Sequence, residues 1–210
     1  MKFPKKLNYS VNIKNNKYNV VGLDLSAKHC GIAHVEVNLG SVYLLNLKSI
    51  ERNKHCINKG YADDIVNEVN QINPDIVICE DVFLKIFPGR KPNVREHDRI
   101  LRIQGMVEYG SVAMVNYINA SHARKVVGMN PHGNKAEIQS LVYKMLYNNG
   151  LPIFTQVYQL RTDYQKKKMC KSTFNKRSNK LSKDIYNLTD INEHKADALV
   201  ISLAHILESN

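Results

Sequence analysis

The chain has 210 residues, 43% of them apolar, which is enough to bury one substantial core but too short for two ordinary domains plus linkers. No apolar run approaches the roughly 18 residues of a membrane span, and no signal-peptide pattern opens the chain, so we expect a soluble cytoplasmic protein with no membrane partner. The formal net charge of +11 indicates an acidic partner such as nucleic acid.

Strand-like segments dominate the first part of the chain. A basic tail, residues 1–17, precedes three short runs rich in Val, Ile and Leu, at residues 20–25, 31–37 and 42–47. Only a few residues separate these runs, so we predict a meander of antiparallel hairpins.

A helix and a buried strand are predicted next. Apolar residues recur at helical spacing between Tyr61 and Ile72, and Asn73-Pro74 ends that helix. Residues 75–79 form a short apolar run typical of a strand buried on both faces. A crossover helix leading into a parallel, central strand is the simplest topology.

The remaining elements are predicted to be mainly helical. We expect a long helix from about residue 98 to 119, a strand at 123–129, a helix ended by Asn148-Asn-Gly150, and a final helix from about 192 to 207. These elements add up to an α/β fold whose mixed sheet has five strands, three in the meander and two parallel.

Positive charge is concentrated in three segments. Residues 1–17, 85–102 and 161–183 carry formal charges of +5, +4 and +8, while the rest of the chain sums to −6. We interpret these segments as basic loops, at 84–102 and 155–190, and a basic tail, all suited to a polyanion. The alternative is that they are merely solvated surface. Few aliphatic side chains anchor residues 155–190, so we expect a mobile loop or a hairpin outside the core.

The cysteine pattern gives no sign of a metal cluster or of disulfides. The four cysteines lie far apart and form no C-x-x-C pair: Cys30, Cys56, Cys79 and Cys170. Cys30 and Cys79 fall in strand-like apolar runs, where a buried, reduced thiol is the commonest role.

Acidic residues interrupt apolar elements at places where surface acids are uncommon. Asp24 lies at the end of the first apolar strand, and Glu80 directly follows the fourth. Asp197 lies in the last helix, with His194 three residues earlier and therefore on the same face. Each has a simpler interpretation: Asp24 as a turn or cap residue, Glu80 in an ion pair at a sheet edge, and His194 facing solvent.

These four side chains together are suited to a divalent metal. Mg²⁺ prefers carboxylate oxygens and keeps waters for substrate phosphates. Two such ions, roughly 3.5 to 4 Å apart, can generate a hydroxide and stabilise the leaving 3′ oxygen of a phosphodiester. Gly22 and Gly31 bracket the first hairpin, and the joint placement of all these residues favours a shared site over separate structural roles.

Several short motifs, in the same order along most of the chain, resemble those of the RuvC-type Holliday-junction resolvases. They are Gly22-Leu-Asp-Leu-Ser26, Cys79-Glu-Asp-Val-Phe83, Val126-Val-Gly128 and His194-Lys-Ala-Asp-Ala-Leu199. The resemblance implies that residues 18–210 form one RNase H-like nuclease domain that cuts crossover junctions.

The resemblance also assigns roles to individual residues. It implies that two Mg²⁺ or Mn²⁺ ions are held by Asp24, Glu80, His194 and Asp197, with Glu193 as a lower-ranked substitute. Because imidazole must be neutral to bind a metal, a histidine at position 194 should alter the pH response of the site.

The remaining implied roles concern DNA. Phe83 matches an aromatic residue that stacks on an exposed base, and Lys135 a lysine beside the scissile phosphate that assists catalysis; Lys125 is placed to contact the backbone. Core packing for Phe83 and plain solvent exposure for the lysines are the alternatives. From the basic loops we add the following DNA-binding candidates: Lys85, Arg90, Lys91, Lys166, Lys167 and Lys168.

We expect a homodimer on branched DNA, because resolving a four-way junction requires two symmetric cuts. The long helix at about 98–119 is the expected interface. The elaborated basic loops suggest a phage or viral relative, working in a bacterial or virus-infected cell. Other hypotheses are a flap nuclease, an RNase H acting on hybrids, and a junction-binding protein without catalysis.

Overall fold

The structure is a computed structural model and describes residues 4–10, 17–53, 58–81, 94–147 and 152–209. Its strands are β1 (Lys5–Ser10), β2 (Lys17–Leu25), β3 (His29–Asn38), β4 (Ser41–Glu51), β5 (Ile76–Glu80) and β6 (Val115–Ile118). Its helices are α1 (Asn58–Ile72), α2 (Val94–Gly110), α3 (Ala120–Val126), α4 (Lys135–Tyr147), α5 (Pro152–Gln165), α6 (Lys171–Thr189) and α7 (Glu193–Glu208).

The strands form one mixed sheet in the order β1-β4-β3-β2-β5-β6. The neighbouring strands β1, β4, β3 and β2 pair antiparallel, in that order across the sheet. β5 runs parallel to its two neighbours, β2 and β6. The predicted meander, the crossover helix α1 and the central parallel strand β5 are therefore confirmed. The sheet has six strands among the described residues, so the predicted count of five is wrong.

The two faces of the sheet are covered by different helices. Along β2, Val20 packs in the cluster that contains the apolar residues of α7 and α4. Val21 and Leu23 pack in a second cluster with residues of α1 and α2. Because side chains alternate between the faces of a strand, Gly22 and Asp24 share the α7 face with Val20.

The extra strand is β1, which lies within the predicted basic tail. Leu7 of β1 is buried in the main core, and Lys5 and Lys6 pair in register with β4. One buried leucine among three nearby lysines gives too weak an alternation to predict a strand, and lysines are common on edge strands.

Two elements between residues 110 and 127 were assigned wrongly. The helix predicted to reach residue 119 ends at Gly110, and Val115–Ile118 forms β6. The Asn70 side chain bonds the carbonyl of Gly110 and the amide of Val112, and so supports this break from α1. The strand predicted at 123–129 is the short helix α3, whose N-cap Asn119 accepts hydrogen bonds from the amides of Ser121 and His122.

Residues 155–190 form a pair of helices, α5 and α6, so the predicted loop is wrong. Ile153, Val157 and Leu160 lie at i, i+4 and i+7 and pack against Leu181 and Ile185 of α6. This apolar stripe is narrow and its neighbours are polar, which is why composition indicated a loop. In the other predicted basic loop, residues 94–102 belong to α2, and residues 84–93 lie outside the described parts of the chain.

Cys30 and Cys79 are buried as free thiols, as predicted. None of the described helices is both long and apolar enough to cross a lipid bilayer.

Candidate active site

The sheet brings Asp24 and Glu80 side by side. Parallel pairing places Leu23 opposite Cys79, so the two acids that follow them lie at the same end of neighbouring strands. Asp24 is buried, with 6% of its surface exposed, and its carboxyl shares a side-chain hydrogen bond with Glu80. The predicted proximity of these two acids is therefore present.

Helix α7 crosses the sheet directly above this point, and two glycines make room for it. A Cβ on Gly31 would lie 1.9 Å from the carbonyl oxygen of His194, and one on Gly22 would lie 2.3 Å from that of Ala198. Both distances are far below contact distance, so β2 and β3 must carry glycine where the helix passes. Asn192 caps the helix by accepting a hydrogen bond from the amide of Lys195.

This crossing places His194 against Asp24. The Nδ1 atom of His194 lies 2.5 Å from Oδ2 of Asp24, and both side chains are largely buried. The His194 ring also stacks on that of His29, with centroids 5.3 Å apart and ring planes 17° apart. Nδ1 is thus held toward the carboxylate, while Nε2 lies 3.8 Å from Oε1 of Glu193.

Asp197, one turn further along α7, pairs with an arginine that the sequence did not single out. Nη2 and Nε of Arg124 donate to Oδ1 of Asp197 at 2.9 and 3.3 Å. Less than a fifth of either side chain is exposed, since the figures are 18% for Arg124 and 16% for Asp197. Such a shielded pair is costly to break, because the remaining partner becomes an uncompensated charge.

Lys135, at the start of α4, lies at the rim of the site. Its ammonium group forms an ion pair with Glu193, the first residue of α7. More than half of the Lys135 side chain is exposed, so it can also meet a phosphate arriving from solvent.

Burial and the nearby carboxylates change the pKa values of the acidic groups in the site. Burial raises the pKa of Asp24 to about 7, and the charges of Asp197 and Glu193 act in the same direction. Burial also raises the pKa of Asp197, against the opposing effect of the Arg124 guanidinium.

The same burial lowers the pKa of His194, against the opposing effect of the Glu193 charge. This lowering favours the neutral imidazole, which is the form that can bind a metal.

The donor set fits a hard divalent cation. It offers carboxylate oxygens and a neutral imidazole in a buried pocket where acids repel one another, and a cation would relieve that repulsion. Within the described parts of the chain, however, no three His, Cys, Asp or Glu side chains are already arranged as ligands of one ion. Asp24 is engaged through Oδ2 with His194, and Asp197 is engaged through Oδ1 with Arg124.

The structure thus gathers five of the residues singled out from the sequence: Asp24, Glu80, His194, Asp197 and, at the rim, Lys135. Lys125 is exposed on α3, and Lys166, Lys167 and Lys168 are exposed where α5 turns into α6. Four further DNA-binding candidates lie outside the described residues: Phe83, Lys85, Arg90 and Lys91.

Arg124 and His29 were missed. Arg124 contacts a residue 73 positions away, and no local pattern announces such a pair. His29 lies two residues before Gly31, one of the two glycines that flank the first hairpin. This short separation was the sequence feature that could have pointed to His29 as part of the site.

Comparison with solved structures places this arrangement in a known architecture. Thermus thermophilus RuvC superposes with a TM-score of 0.55 at 17% sequence identity, over 91% of this chain and 95% of that one. The same protein solved with a Holliday-junction substrate gives a TM-score of 0.55 at 14% identity, over 91% and 94%. The chain has the RNase H-like fold of RuvC.

A more distant similarity is found to the Fowlpox virus resolvase in complex with Holliday-junction DNA. Its TM-score is 0.45 at 15% identity, over 91% of this chain and 97% of that one. No family model and no curated protein sequence matches the chain.

Proposed function

We propose that this chain is a structure-selective endonuclease that cuts four-way junctions and related branched DNA by metal-dependent phosphodiester hydrolysis. The observation that carries the proposal is the meeting of Asp24, Glu80, His194 and Asp197 at one end of the sheet. The fold of RuvC supports the assignment, although a fold alone does not determine function.

Asp24, Glu80, His194 and Asp197 are the residues that would hold Mg²⁺ or Mn²⁺, in two sites if the resemblance to RuvC extends to metal number. When bound, such ions activate a water molecule and stabilise the leaving oxygen of the phosphodiester. His29 keeps the His194 ring in position by stacking, and Arg124 fixes the carboxylate of Asp197. Lys135 neutralises negative charge where the phosphate enters.

Exposed basic residues outside the site are suited to the DNA backbone. Lys125 on α3 and Lys166 to Lys168 at the α5–α6 turn are exposed, and each can replace a counterion on a phosphate. For Phe83, Lys85, Arg90 and Lys91, contact with DNA stays a prediction from the sequence.

A homodimer is part of the proposal, because a junction with two-fold symmetry must be cut twice. Helix α2 is the candidate interface, although it is shorter than the predicted helix. It exposes several large apolar side chains, most of all Tyr109 with 95% of its surface exposed. Analytical ultracentrifugation of the free protein and of its junction complex measures the subunit number.

The decisive test is cleavage of a labelled synthetic four-way junction in Mg²⁺, Mn²⁺ or EDTA. We expect paired symmetric nicks with metal, and a loss of about a hundred- to a thousandfold in Asp24→Asn and Glu80→Gln, a scale known for removal of one electrostatic catalytic group. Asp64→Asn, an exposed acid on α1, is the matched control and should cut normally.

Parallel substrates separate the other hypotheses. Equal cutting of flaps and Y-forms would make the chain a general branch nuclease, and preference for RNA in hybrids would make it an RNase H. Tight junction binding without nicking in any metal would contradict catalysis altogether and leave a DNA-binding protein.

A further inference from the structure

A groove of about 390 Å³ opens beside the active site, between α4, α6 and the start of α7. Its polar lining includes Lys135 from α4, Asn179, Lys183 and Tyr186 from α6, and Glu193 from α7. Lys135 and Glu193 also form the ion pair at the rim of the active site, so the groove and the active site share that wall. A DNA strand that enters the active site can therefore continue into the groove.

The groove carries more positive than negative charge. Among the described residues that line it, Glu193 is the acid, and it is already paired with Lys135. Lys183 is exposed, and no ion pair joins its ammonium group to another residue in the described parts of the chain. This lysine is therefore available to replace a counterion on a phosphate.

The opposite face of α6 has a different balance of charge. It borders a cavity of about 450 Å³ between α5 and α6, which is lined by Arg177 and Lys180 but also by Asp163 and Asp184. The two cations and the two acids offset each other there, so a polyanion has little to gain from that face. The excess of positive charge belongs to the face of α6 that borders the active site.

Lys176 extends this charge along α6. It is exposed and precedes Lys183 by seven residues, which places it on the same face about 10.5 Å away. One strand of DNA carries a phosphate for about every 3.4 Å of helix axis, so the two lysines span about three phosphates. Between and beside them, Asn179 and Tyr186 offer an amide and a hydroxyl, groups that commonly contact phosphate oxygens.

We propose that this groove, which we call the α4–α6 groove, holds the backbone of the strand being cut where that strand leaves the active site. Lys183 and Lys176 bind two of its phosphates. The inference rests on the proposed function and adds the path of the DNA to it. Contacts to phosphate carry no sequence information, so the groove holds the strand whatever its bases are.

The salt dependence of binding is the first measurement. Fluorescence anisotropy of a labelled four-way junction in EDTA gives the slope of log affinity against log salt. Lys183→Gln and Lys176→Gln should each lower that slope by about 0.9, the contribution of one phosphate contact, and the double variant by about 1.8. Lys183→Arg should keep the original slope, because it retains the charge.

Lys180→Gln is the matched control. Lys180 is an equally exposed lysine on the same helix, but it lines the cavity between α5 and α6. Its substitution removes the same charge from the protein and should leave both the slope and the rate of cutting unchanged.

Uncharged phosphates then locate the contact. A methylphosphonate replaces one phosphate at a time near the crossover of the labelled junction. At the position that Lys183 contacts, the slope of the unaltered protein should fall by about 0.9. The slope of Lys183→Gln should not fall further at that position, because the contact is already lost. A change of base at the same position should have no effect on either protein.

The outcomes separate the two proposals. Equal slopes in Lys183→Gln and Lys180→Gln, or a methylphosphonate effect that is the same with and without Lys183, would overturn the groove and leave its lysines as solvated surface. Metal-dependent nicking by that protein would still support the nuclease. A slope that falls only in the groove variants of a protein that nicks no DNA would support the groove as a DNA-binding surface and overturn the nuclease.

Discussion

The start of α7 and the α5–α6 pair are held against the rest of the molecule in different ways. α7 lies on the backbone of β2 and β3 at two glycines where no Cβ fits, and its polar side chains His194 and Asp197 are largely shielded from solvent. The α5–α6 pair packs in a small apolar cluster that also includes Ala136 of α4, and it exposes a row of lysines. One added methyl group at the start of α7 should therefore destabilise the fold. The α5–α6 pair, in contrast, should keep its stability when several of its charges are removed.

The largest effect is expected from Gly31→Ala. The new Cβ would overlap the carbonyl of His194, so α7 must move away from the sheet. We expect a loss of about 3 kcal/mol or more in the free energy of unfolding, at the upper end for overpacking. Urea denaturation followed by circular dichroism measures it.

Gly105→Ala is the matched control for this substitution. Nothing lies within 4 Å of a Cβ at position 105 in α2, so alanine should be neutral or stabilise the helix by about 0.5 to 1 kcal/mol. Equal stability of the two variants would show that the close crossing of α7 is not a constraint.

The sequence could predict those features of the site that depend on residues close together in the chain. Asp24 and Glu80 each end an apolar run, so their place at strand ends followed from alternation and length alone. His194 and Asp197 followed from helical spacing. The sequence showed that Gly22 and Gly31 flank the first hairpin. It did not show why glycine is needed there, because the reason is a contact with the backbone of α7, which is distant in sequence.

The elements that were missed depend on distant partners or on weak local signals. β6 and the end of α2 are set by hydrogen bonds from Asn70, which lies about 40 residues away. α3 follows from a single cap at Asn119 and has only one buried residue, Ala123. Arg124 is ordinary in its local sequence and acquires its importance only when α7 brings Asp197 beside it.

Arg124→Gln should give the next largest effect, on activity. Without the guanidinium, Asp197 loses the charge and the hydrogen bonds that hold its pKa down, so a larger fraction of it is protonated at neutral pH. We expect nicking to fall by about 10- to 100-fold, in line with the loss of one supporting contact to a metal-binding group. The pH–rate profile should also move to higher pH, because Asp197 must be ionised to act.

Lys125→Gln, at the neighbouring exposed position, controls for charge and should leave the pH profile unchanged. Arg124→Lys should restore part of the rate. A rate that falls equally at every pH, together with a lower melting temperature, would reduce Arg124 to a structural role.

In the α5–α6 pair, the triple change of Lys166, Lys167 and Lys168 to Gln should leave the fold intact. These side chains are exposed, and we expect no measurable loss of stability. If all three meet phosphates, the slope of log affinity against log salt should fall by about 2.7, since each phosphate contact contributes about 0.9. Fluorescence anisotropy of a labelled junction in EDTA at several salt concentrations measures that slope. An unchanged slope would place the DNA on another surface.

The smallest effect concerns the stability of the metal-free site. Because burial raises the pKa of Asp24 from its usual value of 3.8 to about 7, the folded state holds this proton more tightly than the unfolded chain does. The contribution of Asp24 to stability therefore falls as pH rises from about 4 to about 7, and is level above that range. Asn cannot titrate, so Asp24→Asn should exceed the unaltered protein in stability by about 1 kcal/mol at pH 8 in EDTA, the scale of one desolvated group. The gain should shrink toward about pH 4. Urea midpoints at the two pH values test this, with Asp64→Asn as the exposed control.

Mn²⁺ should then raise the melting temperature of the unaltered protein and not that of Asp24→Asn, because only the former retains the full donor set. A gain that is the same at both pH values would mean that the carboxylate is not strained by burial, and that the ion pairs of α7 already satisfy the site without a metal.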